Sequence, residues 1–161
     1  QAIQDVGGDW MLVRPSLQDG EGGFGAAWLR GVARLPVFAV PADAQGLIAA
    51  CCARDVGEAL MRLSTAEAGA LDLSQSRIFE LGGTEAHRFK DYIRGLRALQ
   101  RTGRALAIPI PGILARLGAH LCDLLHFSPF SFGHWELLRK DNVPTPKRLP
   151  ELLARAPRRV I

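Results

Sequence analysis

The chain holds 161 residues, of which 48% are hydrophobic and 22% charged, with a formal net charge of +4 from 20 basic and 16 acidic side chains. That composition supplies a packed core for one ordinary domain, or a small domain with an appendage, and argues against global disorder. The arginines are spread out except for a small cluster at Arg155, Arg158 and Arg159, so no basic stripe is gathered for nucleic acid and no nucleic-acid partner is expected.

The three cysteines, Cys51, Cys52 and Cys122, form no disulfide framework and no metal-ligand spacing, and read as small core residues in a reducing compartment. Residues Gln1 to Gly8 carry neither a basic nor an apolar signal region. No run of about 18 apolar residues is present to span a bilayer. A cytoplasmic location is therefore expected. The opening without methionine reads as a fragment or a processed chain.

In chain order, Gly7, Gly8 and Asp9 form a turn before the apolar run Trp10 to Arg14, a buried strand that Pro15 closes. Gln18 to Gly25 is so rich in glycine that it predicts a mobile loop or a close backbone approach. A helix is expected over Ala26 to Leu35, with Trp28, Leu29 and Val32 on one side. Val37 to Val40 is a short strand between prolines, and Leu47 to Cys52 is a further apolar run. Asp55 is placed to cap a helix through Leu63, with Val56, Ala59, Leu60 and Leu63 as its apolar stripe. Arg77 to Leu81 reads as a strand stopped by Gly82 and Gly83, followed by a helix over Phe89 to Leu99 and a short strand over Leu106 to Ile108. Pro109 and Pro111 are expected to end that strand.

The clearest amphipathic helix is Pro111 to Leu125, where Ile113, Leu114, Leu117, Leu121, Leu124 and Leu125 recur at helical spacing. Core packing is the expected use of that stripe, with a partner or membrane surface as the alternatives. Helices over Phe130 to Lys140 and Pro150 to Ala154 complete the chain. The organisation is α/β over residues 1–108 and mostly helical over residues 109–161.

Several chemistries lack their residues. Gly20, Gly22, Gly23 and Gly25 do not have the spacing of a dinucleotide-binding turn, and no acidic ribose ligand follows a second strand. The one tyrosine, Tyr92, is followed four residues later by Leu96 rather than by the Lys of a reductase pair, and is expected to be half-buried on its helix. No Gly-x-Ser-x-Gly occurs. His87, His120, His126 and His134 form no ligand pair and suit surface or capping roles. Glu80 and Glu85 flank the Gly82-Gly83 turn and are expected to be solvated. No catalytic residue and no metal ligand is assigned.

The order of the pieces nevertheless resembles a known family. Trp10-Met-Leu-Val-Arg-Pro-Ser-Leu17 with the loop through Gly22 and Gly23, then Ala50-Cys-Cys-Ala-Arg-Asp-Val56, then Ile78-Phe-Glu-Leu-Gly-Gly-Thr-Glu85, resembles successive segments of extended or atypical short-chain dehydrogenase/reductases. The tail from Pro109 through Ser128-Pro129 and Asp141-Asn142-Val143 is most similar to the NAD(P)-binding branch that includes relatives of the complex I 39-kDa accessory subunit. Cys52 stands where that family has His, and Ala50 where it has Pro.

The resemblance implies the C-terminal portion of a Rossmann-type fold, with few short strands and a mostly helical second half. It implies NAD or NADP as cofactor, held only together with an N-terminal half that carries the glycine motif and the Tyr-x-x-x-Lys helix. Pro15, Ser16 and Leu17 would lie beside the nicotinamide, and Gln18, Gly22, Gly23 and Phe24 would border a small-molecule substrate pocket. Arg14 would be structural. Such a chain is a substrate-binding part of an oxidoreductase or epimerase-like protein, inactive alone. The alternative is a non-catalytic interaction module that docks through the Ile113 to Leu125 helix. The strand at Trp10 to Arg14 would leave one edge unpaired, which favours self-association.

Overall fold

Apolar runs this short, punctuated by proline and glycine, favour strands of a few residues. The computed structural model, which describes residues 10–65, 77–125, 131–145 and 148–161, is a mixed α/β arrangement with six helices among those residues. The elements are β1 (Leu12–Pro15), β2 (Gln18–Asp19), α1 (Phe24–Val32), β3 (Val37–Pro41), β4 (Leu47–Ile48), β5 (Cys51–Cys52) and α2 (Ala53–Ser64). They continue with β6 (Ile78–Leu81), β7 (His87–Arg88), α3 (Phe89–Leu99), β8 (Leu106–Ile110), α4 (Gly112–Leu125), α5 (Phe132–Arg139) and α6 (Arg148–Leu153). The turn at Gly7 to Asp9, His126 and the Ser128-Pro129 pair lie outside the described residues.

The strands form four two-stranded ladders. β1 runs parallel to β6, β2 to β5 and β3 to β8, while β4 and β7 are antiparallel. Parallel pairs require crossovers, and the helices provide their cover. α2 and α6 pack over β1 and β6, burying Val56, Ala59, Leu63, Phe79, Leu81, Leu149, Leu152 and Leu153. Each fully buried Leu or Phe contributes about 1.5–3 kcal/mol. A second core joins Leu29 of α1 and Ala33 just past its end, Phe38 and Val40 of β3, Tyr92, Ile93 and Leu96 of α3, and Leu138 of α5.

Arg97 is buried in this second region yet fully engaged. Its guanidinium donates to the carbonyls of Ala33, Leu35 (2.6 Å) and Gly103. It thus satisfies carbonyls at the end of α1 that the helix cannot pair internally, and it fastens α1 to the turn after α3.

Several expectations change on contact with the structure. Of the two expectations for Gln18 to Gly25, the close backbone approach holds and the mobile loop does not: β2 pairs with β5, and α1 already starts at Phe24. Gly22 has φ +82°, which a side chain rarely adopts, and a Cβ on Gly20 would stand 2.5 Å from the Ala53 Cβ. Asp55 is not the cap of α2. The extended residue before the helix is Cys52, and Asp55 sits inside the first turn, fully buried. Leu60, placed in the stripe, is exposed. Tyr92 is entirely buried rather than half-buried. Only Cys51 of the cysteines is buried; Cys52 and Cys122 are half-buried. β8 continues through Pro109, opposite Val40, as a ladder with one free edge tolerates.

The largest departure is α4. It packs through Ala115 and Ala119, which with Trp135 form a small separate core. The leucine stripe faces away: Ile113, Leu114, Leu117, Leu121, Leu124 and Leu125 are each more than half exposed. The small residues permit close approach of α5, whose first N–H, on Phe132, is accepted by the Asp123 carboxylate at 2.9 Å.

The arginine cluster near the end of the chain is a clasp. Arg155 Nη2 lies 2.8 Å from Asp55 Oδ1 and 2.5 Å from Glu58, and the Arg158 N–H donates to Asp55 Oδ2 at 2.6 Å. The Arg158 guanidinium joins the same carboxylate. Burial alone would push the Asp55 carboxyl up, but these hydrogen bonds and positive charges outweigh it and hold its pKa below the ordinary value. Arg159 pairs with Glu85, which also faces His87 Nε2 at 3.4 Å, so Glu85 is engaged rather than merely solvated. Beyond the clasp, Val160 and Ile161 pack against the second core.

Candidate functional site

The chain leaves β1 at Pro15 and turns through Ser16 and Leu17 into β2, and this turn, α1 and α5 all contribute to the lining of one cavity. The cavity, of about 350 Å³, opens between them. One wall is Pro15, Ser16, Leu17 and Gln18. α1 and its start supply Gly23, Gly25, Ala26, Trp28 and Leu29. Ile48 and Phe89 form the base, and His134, Leu137, Leu138 and Asn142 close the far side.

Its walls are fixed by specific bonds. Ser16 is buried, and its hydroxyl donates to the Asn142 carbonyl at 2.9 Å. That carbonyl also accepts the Ala49 N–H, while the Asn142 N–H donates to Leu47 at 2.7 Å. Asn142 therefore extends the β4 edge, pairing with Ile48 as a parallel bridge. Leu47 N–H also reaches the Asp141 carboxylate at 2.9 Å, and Gly46 N–H the Leu138 carbonyl at 2.9 Å. Ser131 caps α5 by accepting the His134 N–H, and its hydroxyl lies 2.6 Å from His134 Nδ1. These contacts hold His134 at the rim.

Directly behind the wall, Asp19 is buried. Its carboxylate accepts the Tyr92 hydroxyl at 2.8 Å and forms an ion pair with Arg30. Burial, reinforced by the Asp19 charge, raises the Tyr92 pKa far above the ordinary tyrosine value. A proton-transfer role needs a group that titrates near neutrality and reaches the reactant; this phenol does neither. Burial likewise raises the Cys51 pKa to about 12, which leaves its thiol inert toward nucleophilic chemistry.

Of the residues expected to flank a cofactor, Pro15, Ser16 and Leu17 all line this cavity. Of those expected to border substrate, Gln18 and Gly23 line it; Gly22 is not in the lining, and the Phe24 side chain lies outside what is described. Sequence reasoning missed Trp28, Phe89, His134 and Asn142 as wall residues. The late Asp-Asn-Val stretch was the one usable signal for Asn142. Among the described residues no cluster of three or more His, Cys, Asp or Glu side chains is placed to hold a metal ion, and no helix is long and apolar enough to cross a membrane.

No protein-family model matches this chain, and no curated protein matches it in sequence.

Proposed function

We propose that this chain provides the substrate pocket of an NAD(P)-dependent oxidoreductase or epimerase-like protein, with the cofactor-binding motifs supplied from outside these 161 residues. One observation carries the reading. β1 and β6 are parallel, and the cavity opens at Pro15 to Leu17, immediately past the carboxyl end of β1. In open α/β sheets with a Rossmann-type winding, ligands bind in the crevice outside the carboxyl ends of the strands. The residues whose resemblance implied contact with nicotinamide are on that wall. In this reading β1 and β6 are a remnant of a wider sheet, the compartment is the reducing cytoplasm, and the nicotinamide ring of NAD or NADP lies on the side of the cavity next to Pro15, with its phosphates held outside these 161 residues.

The sequence carries neither the glycine spacing of a dinucleotide-binding turn nor a Tyr-x-x-x-Lys pair, so in this reading the chain is inactive alone. The test is an intact-mass measurement on the natural protein, followed by NADH and NADPH titration of that species and of the isolated chain. A species larger than 17.5 kDa by a domain of about 150 residues, which binds a dinucleotide while the isolated chain does not, supports the reading. A species that binds neither dinucleotide overturns it.

A second reading, a non-catalytic module that docks on a protein, is favoured by the exposure of the α4 stripe. Six large apolar side chains on one helix face are more than a scatter of single surface residues. A Leu117→Glu, Leu121→Glu double variant that abolishes self-association or partner capture, with dinucleotide binding absent from the natural protein, would favour this module.

A further inference from the structure

We infer that the cavity takes an uncharged, mostly apolar carbonyl or hydroxyl compound, and not a nucleotide-linked sugar or other phosphorylated ligand. This rests on the reading of the cavity as the substrate site and names what the site selects.

Among the described residues the lining contains no Lys, Arg, Asp or Glu. A diphosphate in such a site would lose its hydration without a charge-assisted partner, and burying an unpaired charge is strongly unfavourable. Arg30, on the helix that supplies Trp28 and Leu29 to the wall, is paired with Asp19. Asp19 follows Gln18 directly, but its charge is matched by Arg30 and its Oδ2 accepts the Tyr92 hydroxyl. Among the described residues, the cavity wall therefore offers no Lys, Arg, Asp or Glu charge to an ionic ligand.

What it offers instead is apolar surface from Leu17, Trp28, Leu29, Ile48, Phe89 and Leu138, with polar groups at Gln18, His134 and Asn142. A volume of about 350 Å³ lies at the small end of ligand pockets, which run from about 300 to 1,000 Å³. The electropositive feature at the rim is the start of α1. Gly23 provides no side-chain acceptor there, and no acidic residue stands in the first turn. The first N–H groups of a helix have no internal partner and carry about half a unit charge. Those N–H groups can receive a carbonyl oxygen; a diphosphate there would meet helix N–H donors but no Lys or Arg among the described lining residues to balance its charge.

The test titrates the 161-residue chain with Nile red, an uncharged apolar dye that carries a carbonyl, and then challenges the complex with UDP-glucose. Two variants fill the cavity. Gly25→Phe uses a position where an added Cβ meets nothing within 4 Å, and Leu137→Trp uses an exposed position on the opposite wall. The Leu117→Glu, Leu121→Glu variant removes the α4 stripe as a rival dye site. The expected result is saturable dye binding, weakened about tenfold or more by either filling variant, retained in the α4 variant and unaffected by UDP-glucose. Displacement by UDP-glucose overturns the inference. So does absence of binding, or dye binding that survives both filling variants and is lost in the α4 variant. Because the dye is read on the isolated chain and the dinucleotide on the natural protein, a failure here and a failure of the oxidoreductase reading are separate results.

Discussion

The Ser16 hydroxyl donates to the main-chain carbonyl of Asn142, a residue 126 positions further along the chain. This bond ties the turn after β1 to the edge of β4 and so joins two walls of the cavity. Ser16→Ala removes one donor while the Asn142 carbonyl keeps the Ala49 N–H. A loss of about 0.5–1.5 kcal/mol is expected in urea unfolding, with faster amide exchange at Asn142 and Ala49 as the local signature. Unchanged exchange there would show that the bond does not hold the wall.

Asp55 makes stability depend on acid. Its folded carboxyl titrates below the unfolded value of about 3.9, so its contribution is complete above that value and is lost as pH falls through the folded pKa. Asp55→Asn is expected to cost about 1.5–3 kcal/mol near neutrality, the worth of hydrogen bonds to a charged group. It should also flatten the acid limb of the stability profile. Thermal melts of both proteins from neutral pH down to the acid transition measure this, and parallel profiles would contradict it.

Two helical glycines should respond with opposite sign. Gly57 in α2 faces open space, so Gly57→Ala gains about 0.5–1 kcal/mol from helix propensity and a less flexible unfolded chain. A Cβ at Gly95 in α3 would come within 2.7 Å of Ile161 Cδ1 and 2.8 Å of its Cβ. Gly95→Ala should therefore lose about 1–3 kcal/mol through overpacking. Denaturant midpoints moving in the same direction would rule out this packing of Ile161 on α3.

Tyr92 is the sole tyrosine, so its ionisation is read without interference. With its phenol buried and bonded to Asp19, no tyrosinate absorbance should develop on raising the pH until the chain unfolds. Tyr92→Phe is expected to cost about 1.5–3 kcal/mol, because it leaves a buried carboxylate short of one donor. Ionisation within the ordinary tyrosine range, with the fold intact, would show that the phenol reaches solvent.

α4 should tolerate charge on one face only. Leu121→Glu alters an exposed position and is expected to change stability by no more than about 0.5 kcal/mol. Ala119→Glu places a carboxylate against Trp135 and should detach α4 from α5. Near-UV circular dichroism of the tryptophan environment distinguishes the two. Equal effects would mean that the buried face has been misassigned.

These sites also mark what local sequence can and cannot convey. Phe89 to Leu99 was legible because its apolar residues Phe89, Tyr92, Ile93 and Leu96 recur at helical spacing within one element. The α4 stripe was legible as a face, but periodicity does not say what covers a face, and here nothing among the described residues does. Asp55 looked like a cap because capping is a local pattern; its actual partners, Arg155 and Arg158, lie at the other end of the chain. Arg97 gave no signal for the same reason. In the cavity, the wall residues Pro15 to Gln18 and Gly23 were anticipated only through the resemblance of their segment to the reductase family. His134 and Asn142 were not, because they arrive from elements whose docking depends on Ser131, Asp141 and the bonds they make across the fold.

The strand ladders carry a consequence for how the protein is made. Leu12 pairs with Ile78, Gln18 with Cys51, Val37 with Leu106, and Ile48 with His87. None of these ladders is a hairpin between neighbouring strands, so a nascent chain emerging from the ribosome must carry β1 and β3 unpaired until much later segments appear. Topologies of this kind, with high contact order, fold slowly and expose unpaired edges while they wait. Efficient production in cells should accordingly depend on chaperone capacity and on the pace of translation, more than on the stability of the finished fold.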